Sequence, residues 1–170
     1  LEFINMIKRT VDAKNLPEIY LLHGELSDQQ MNGLYNNPKI KAMISLTKGE
    51  GFGRPLLEFA TTGKPILVSN HSGHLDFLKP EHHTLLDGQL DTIHPSTVSN
   101  MFLPDSKWFN VNPNLVYSHL ITSFNNYKPY KDKSSKSTGF IKSFTKSKMK
   151  QKIKSVLDEH IPESVELKLP

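Results

Sequence analysis

The segment from Ala42 to Gly63 constrains the fold more than any other stretch of this 170-residue chain. It opens with a short apolar run, Ala42-Met43-Ile44-Ser45-Leu46, and continues through a glycine-rich turn, Gly49-Glu50-Gly51-Phe52-Gly53, into a helical pattern. Pro55 suits the first turn of that helix, where a backbone N–H has no intrahelical acceptor. Leu56, Leu57 and Ala60 supply its buried face, and Gly63 its stop. A strand that runs through a tight turn into a helix is half of a βα unit, and such units build parallel sheets.

The alternation continues on both sides. Leu1, Ile4, Ile7 and Val11 recur at helical spacing until Asn15-Leu16-Pro17 breaks the pattern. Ile19-Tyr20-Leu21-Leu22, closed by Gly24, predicts a buried strand. Ser27 and Gln30 form a capping box for a helix with Met31, Leu34 and Tyr35 on one face, ending at Asn36-Asn37-Pro38. Pro65-Ile66-Leu67-Val68-Ser69 predicts a third strand, and His71-Ser72-Gly73 a second turn of small residues. Units of about 20–25 residues in this order predict an α/β fold, an open parallel sheet flanked by helices.

Beyond residue 80 the pattern weakens. Asn112-Pro113 predicts the cap of a helix whose apolar face is Leu115, Val116, Leu120 and Phe124. A polar linker is expected from Lys128 to Gly139, then a Lys-rich helix through Phe144, Ile153 and Leu157. The expected organisation is an α/β domain over residues 1–127 and a linker with a helical C-terminal extension over 128–170.

Composition narrows the function classes. A hydrophobic content of 36% is enough for a real core. Cysteine is absent, which excludes disulfides, thiolate nucleophiles and cysteine-ligated zinc. No run approaches the roughly 18 apolar residues of a membrane span, and no secretory signal opens the chain, so a cytoplasmic location is expected. Charge is segregated. Residues 128–154 hold ten Lys against one Asp, a net +9, which leaves the remainder at −5.

In open parallel sheets, ligands sit where strand ends pass into helix starts. At 46–57, Gly51 and Gly53 let backbone amides approach a ligand closely, and the following helix start leaves N–H groups unpaired. An anion, above all phosphate, is the natural guest. The turn is not a dinucleotide fingerprint, because G-x-G-x-x-G needs Gly at Arg54 or Leu56. It is not a P-loop either, which needs Gly at Glu58 to pair with Gly63-Lys64. Two carboxylates flank the turn, Glu50 within it and Glu58 eight residues on. Hydroxyl acceptors beside a phosphate-binding helix end describe a sugar-nucleotide site. The competing reading makes Glu50 a solvated loop residue and Glu58 a helix-dipole partner.

The run from Ser45 to Ala60, with Gly63-Lys64-Pro65-Ile66 and Ser69-Asn70, resembles the E-x7-E signature of group 1 retaining glycosyltransferases. In these two-domain GT-B enzymes the signature belongs to the Rossmann-like C-terminal domain, which binds the donor. The broader likeness covers Leu1 to about Leu90. The resemblance implies that Glu50 lies beside the transferred sugar as the catalytic-site carboxylate. It implies contacts to sugar and diphosphate from Gly51, Phe52 and Gly53, and from the helix start at Arg54, Pro55 and Leu56. Glu58 would take the ribose hydroxyls, while Gly24, Ser72 and Gly73 would lie near the base or phosphates. The implied reaction transfers a sugar from a nucleoside-diphosphate sugar to a glycan, lipid or protein acceptor with retention, through front-face displacement assisted by the leaving phosphate.

Departures from the family pattern matter. Ser72 stands where the family has the first of two glycines, with Asp76 in the acidic place, and Arg54 replaces a commoner apolar residue. The family's Arg–Lys pair on the first strand has no match, since Lys8 and Arg9 fall in the helix after it. With Leu1 as first residue, the chain is expected to be a fragment opening after that strand, without the N-terminal acceptor domain. Two other classes stay open: a non-catalytic nucleotide-sugar-binding module, and a basic-tailed interaction domain with a coincidental E-x7-E.

No cofactor is expected. His71, His74, His82 and His83 with Asp76 lack the spacing of a zinc site, and neither D-x-D nor G-x-S-x-G occurs. Alternating Lys146, Lys148, Lys150, Lys152 and Lys154 read as a solvated tail or as a contact for anionic membrane. Nucleic acid fits less well, because aromatic residues are sparse there.

Overall fold

The computed structural model describes residues 2–11 and 17–161. Leu1, the Asn15-Leu16 part of the predicted break, and residues 162–170 lie outside the described residues. The chain divides into two compact units, residues 1–34 and 35–170.

The first unit holds α1 (Glu2–Thr10), a non-regular segment from Pro17, and most of α2 (Asp28–Asn36). The capping box forms as expected. The Ser27 amide donates to Gln30 Oε1 at 2.8 Å, and the Gln30 amide to Ser27 Oγ at 3.3 Å. The buried strand expected at Ile19–Leu22 is absent. Its four side chains are exposed, Tyr20 by 77%, and the segment joins no sheet. A parallel strand is held by flanking strands and covered faces; without them an apolar run has no reason to become one.

The second unit is built on a three-stranded parallel sheet in the order β1 (Met43–Ser45), β2 (Ile66–Ser69), β3 (Thr84–Leu86). Met43 pairs with Ile66 and Leu67 with Thr84. Central β2 is buried at every residue, as a parallel strand covered on both faces should be. Between β1 and β2 runs α3 (Arg54–Ala60), which buries Leu56, Phe59 and Ala60 against the sheet's core cluster of Ile66, Val68, Phe77 and Leu78. The turn after β2 makes only a 3₁₀ turn, Gly73–Asp76, before β3.

An antiparallel hairpin follows where sequence signals are weak, β4 (Gly88–Thr92) against β5 (Lys107–Val111). Then comes α4 (Pro113–Asn125), capped as expected by Asn112, whose Oδ1 accepts from the Asn114 amide at 3.0 Å. Its inward face differs from the expected one. Leu115, Val116, His119 and Ser123 turn in, while Leu120 and Phe124 are exposed.

The expected linker at 128–139 is instead folded onto the body as α5 (Tyr127–Ser135) and α6 (Thr138–Ile141). Lys131 Nζ donates to the Gly63 carbonyl at 2.8 Å, and Lys133 Nζ to the His83 carbonyl at 3.0 Å. Ile141 sits in the core cluster. Polarity misled the sequence reading, because these lysines spend their charge on backbone carbonyls at the ends of other elements. Finally, α7 (Lys146–His160) begins at a Thr145 cap and buries no residue.

Candidate functional site: two interlocked turns

The carboxyl ends of β1 and β2, neighbours in the sheet, release the two turns singled out in the sequence, residues 46–53 and 70–74. They lock together. The Glu50 amide donates to Ser72 Oγ at 2.7 Å, and the Gly73 amide donates to the Glu50 carbonyl at 2.9 Å. The approach is close enough to require glycine: a Cβ on Gly73 would stand 2.0 Å from the Gly51 carbonyl oxygen. Gly53 closes the first turn at φ +82, left-handed, as the residue before α3. Ser72 has φ 79 and ψ −165, a conformation that glycine adopts freely and serine only under strain.

The clasp rests on buried neighbours. His74 is fully buried, and its Nε2 donates to the Ser69 carbonyl at 2.7 Å, while Nδ1 is buried without a partner among the described residues. On the flank, Lys48 Nζ bonds Asn110 Oδ1, and the Phe109 amide donates to the Lys48 carbonyl at 3.2 Å. The His71 ring stacks on Phe109 with centroids 4.8 Å apart. Phe52 leans on Phe77, centroids 5.1 Å apart, with Phe144 behind both. Lys48 and Asn110 have no role in the sequence reading, which weighs His71 and His74 only against a metal site and takes Phe109 as core or interdomain packing. Only the stacking partner could have been suspected, from an aromatic residue following a loop.

What the clasp leaves open is polar. Glu50 is half-buried, and its carboxylate has no protein partner among the described residues. Gly51 and Phe52 are exposed, and among the described residues their amides have no acceptor. Pro55 occupies the first turn of α3, and Leu56 is buried beneath it. Glu58 is half-exposed and bound to Arg54, with Nε to Oε1 at 2.6 Å. The Tyr35 hydroxyl has its pKa raised by burial and secondarily by the Glu58 charge. Gly24 lies in the other unit at φ +129.

The four histidines do not act together. His71 stacks, His74 braces the second turn, and His82 and His83 lie before β3. Among the described residues no three His, Asp or Glu side chains converge as metal ligands. A cavity of about 660 Å³ beside β3 is lined by His83, His119, Tyr130 and Lys133. It reaches the second turn at Asn70, with Leu75 just beyond, and touches none of residues 48–53, so it is separate from the Glu50 turn.

Two small-residue turns, with a carboxylate and amides that have no partner among the described residues, stand at the carboxyl ends of adjacent strands, the end of an open α/β sheet where ligands generally bind. The sequence profile of the glycosyl transferases group 1 matches residues 4–89, about half of the chain. This chain belongs to that family, and its chemistry is glycosyl transfer. The α/β architecture is consistent with a GT-B C-terminal domain. No curated protein sequence matches it as a relative.

Proposed function

We propose that this chain is the donor-binding half of a retaining glycosyltransferase that uses a nucleoside-diphosphate sugar. The observation that carries the reading is the clasp of Glu50 by Ser72 and Gly73, which fixes the turn while its carboxylate and the Gly51 and Phe52 amides stay free. Preorganised donors of this kind suit a diphosphate, which needs N–H groups already in place. Glu50 would accept hydroxyls of the transferred sugar. Gly53 and Pro55 shape the turn, and buried Leu56 holds it down. Glu58 would take the ribose hydroxyls, and the Arg54 guanidinium would contact phosphate.

In the proposed reaction the acceptor hydroxyl attacks the anomeric carbon from the face that the diphosphate leaves. The bond from that carbon to the phosphate oxygen breaks, and the departing oxygen takes the acceptor's proton. The acceptor site would come from an N-terminal GT-B domain. Residues 1–127 would make up the donor-binding domain.

Titration with UDP and GDP tests the assignment. Glu58→Ala should weaken nucleotide binding by roughly 10-fold, the scale of a charged hydrogen bond. Unchanged affinity in a folded variant would remove Glu58 from the site, and no binding of either nucleotide to the unaltered chain would overturn the donor reading.

A further inference from the structure

We propose that α7 docks this protein on an anionic lipid bilayer. None of its residues is buried, yet it carries an apolar stripe of Met149, Ile153, Val156 and Leu157 at i, i+4, i+7 and i+8. All four are exposed, Ile153 by 60%. Lys150 and Lys152, each one residue from a stripe position, flank it on opposite sides, and Ser147, Gln151 and Ser155 occupy the far face. An apolar stripe edged by lysines is the pattern of a helix lying in a membrane interface, with the stripe among acyl chains and the ammonium groups at the headgroups.

Charge selects this occupant over a second copy. Five lysines on α7 oppose only Asp158 and Glu159, and the other five lysines of 128–154 add to them. Two such helices brought together repel, whereas an anionic headgroup layer attracts both. The helix is also firmly rooted. Thr145 Oγ1 accepts from the Lys148 amide at 3.3 Å, and Phe144 just before it packs against Phe140 and Phe77. The proposal is independent of donor binding, so neither failure implies the other.

Sedimentation of the chain with phosphatidylcholine vesicles containing about 30% phosphatidylglycerol tests it. Binding is expected, weakening as salt rises, with little binding to phosphatidylcholine alone. Ile153→Asp should lower partitioning at least about 10-fold, and Lys148→Gln, Lys150→Gln and Lys152→Gln together by roughly 100-fold. These side chains are exposed, so unchanged circular dichroism should accompany the loss. Failure to bind anionic vesicles, or binding indifferent to both sets of substitutions, overturns the proposal. So does concentration-dependent self-association that Ile153→Asp abolishes, which would assign the stripe to a second copy.

Discussion

Ser72 holds Glu50 in place by its side chain while its own backbone is strained: Oγ accepts the Glu50 amide at 2.7 Å, with φ at 79 and ψ at −165. The bond and the strain act in opposite directions on one residue. The family pattern has glycine there, so the serine trades conformational ease for a fixed grip on the neighbouring turn.

That trade separates two substitutions. Ser72→Ala keeps the strain and leaves the part-buried Glu50 amide without its acceptor, which should destabilise by about 1–2 kcal/mol. Ser72→Gly loses the same bond but relieves strain of order 1–3 kcal/mol, so it should unfold in urea within about 1 kcal/mol of the unaltered chain. Equal stability of the two variants would refute the strain account.

Gly73→Ala tests the close approach itself. Its Cβ would stand 2.0 Å from Gly51 O and 3.0 Å from Glu50 O, both backbone atoms that cannot rotate away. The turns must part, breaking the Gly73–Glu50 bond, and the loss should reach about 3 kcal/mol or more. Under the proposed function, UDP affinity should fall with it. A folded, stable variant with normal exchange of the Gly73 amide would show that the clasp is looser than described.

The exposed Arg54–Glu58 pair predicts a contrast between stability and binding. Its side chains are 75% and 40% accessible, so Arg54→Gln should cost no more than about 0.5 kcal/mol. Under the proposed function, donor binding should nevertheless change. Removing the partner of Glu58 frees its carboxylate for ribose, while any phosphate contact from the guanidinium is lost. Donor titration against ionic strength distinguishes these, since only the phosphate contact is strongly screened.

The elements legible in the sequence were those with local chemistry: the Ser27–Gln30 box, Gly53 and Pro55 around α3, the continuous apolar run of β2, and the Asn112 cap. The elements missed depend on distant partners. Residues 19–22 have a strand's composition but no covering neighbours, and residues 128–139 are polar yet bind carbonyls some 50–70 residues away at His83 and Gly63. The β4–β5 hairpin hid because Gly88, whose Cβ would stand 2.0 Å from the Asn110 oxygen, opens it without a turn motif. At the candidate site, the spacing singled out the turn glycines, Glu50 and Glu58 as candidates. The mutual grip of the two turns was not legible, because no local signal records which loops touch.

The C-terminal segment therefore offers a second contrast. Ile141 is 2% exposed in the core cluster, and Ile141→Ala should cost about 2–5 kcal/mol. Ile153→Ala, on the uncovered stripe of α7, should stay within about 0.5 kcal/mol. Comparable urea midpoints for the two would mean that the segment does not pack as described.

Acid should weaken the fold through His83. The ring is buried, both nitrogens lack partners among the described residues, and its pKa is lowered to about 4, first by burial and then by the charges of His82 and Lys133. The unfolded chain protonates this histidine near its ordinary value of 6.5, so below that pH the unfolded state binds the extra proton. The stabilisation is complete above about pH 6.5 and is lost as pH falls toward 4, by up to about 3 kcal/mol. His83→Leu keeps the volume and removes the titration, with no hydrogen bond to forfeit. At pH 7 it should be neutral or mildly stabilising, and its advantage should grow steadily between pH 6.5 and 4.5. Carboxylates also titrate toward the acid end, so the quantity to measure is the difference between the two chains at each pH. A difference that stays constant across the window would show that the His83 ring is solvated in the folded protein.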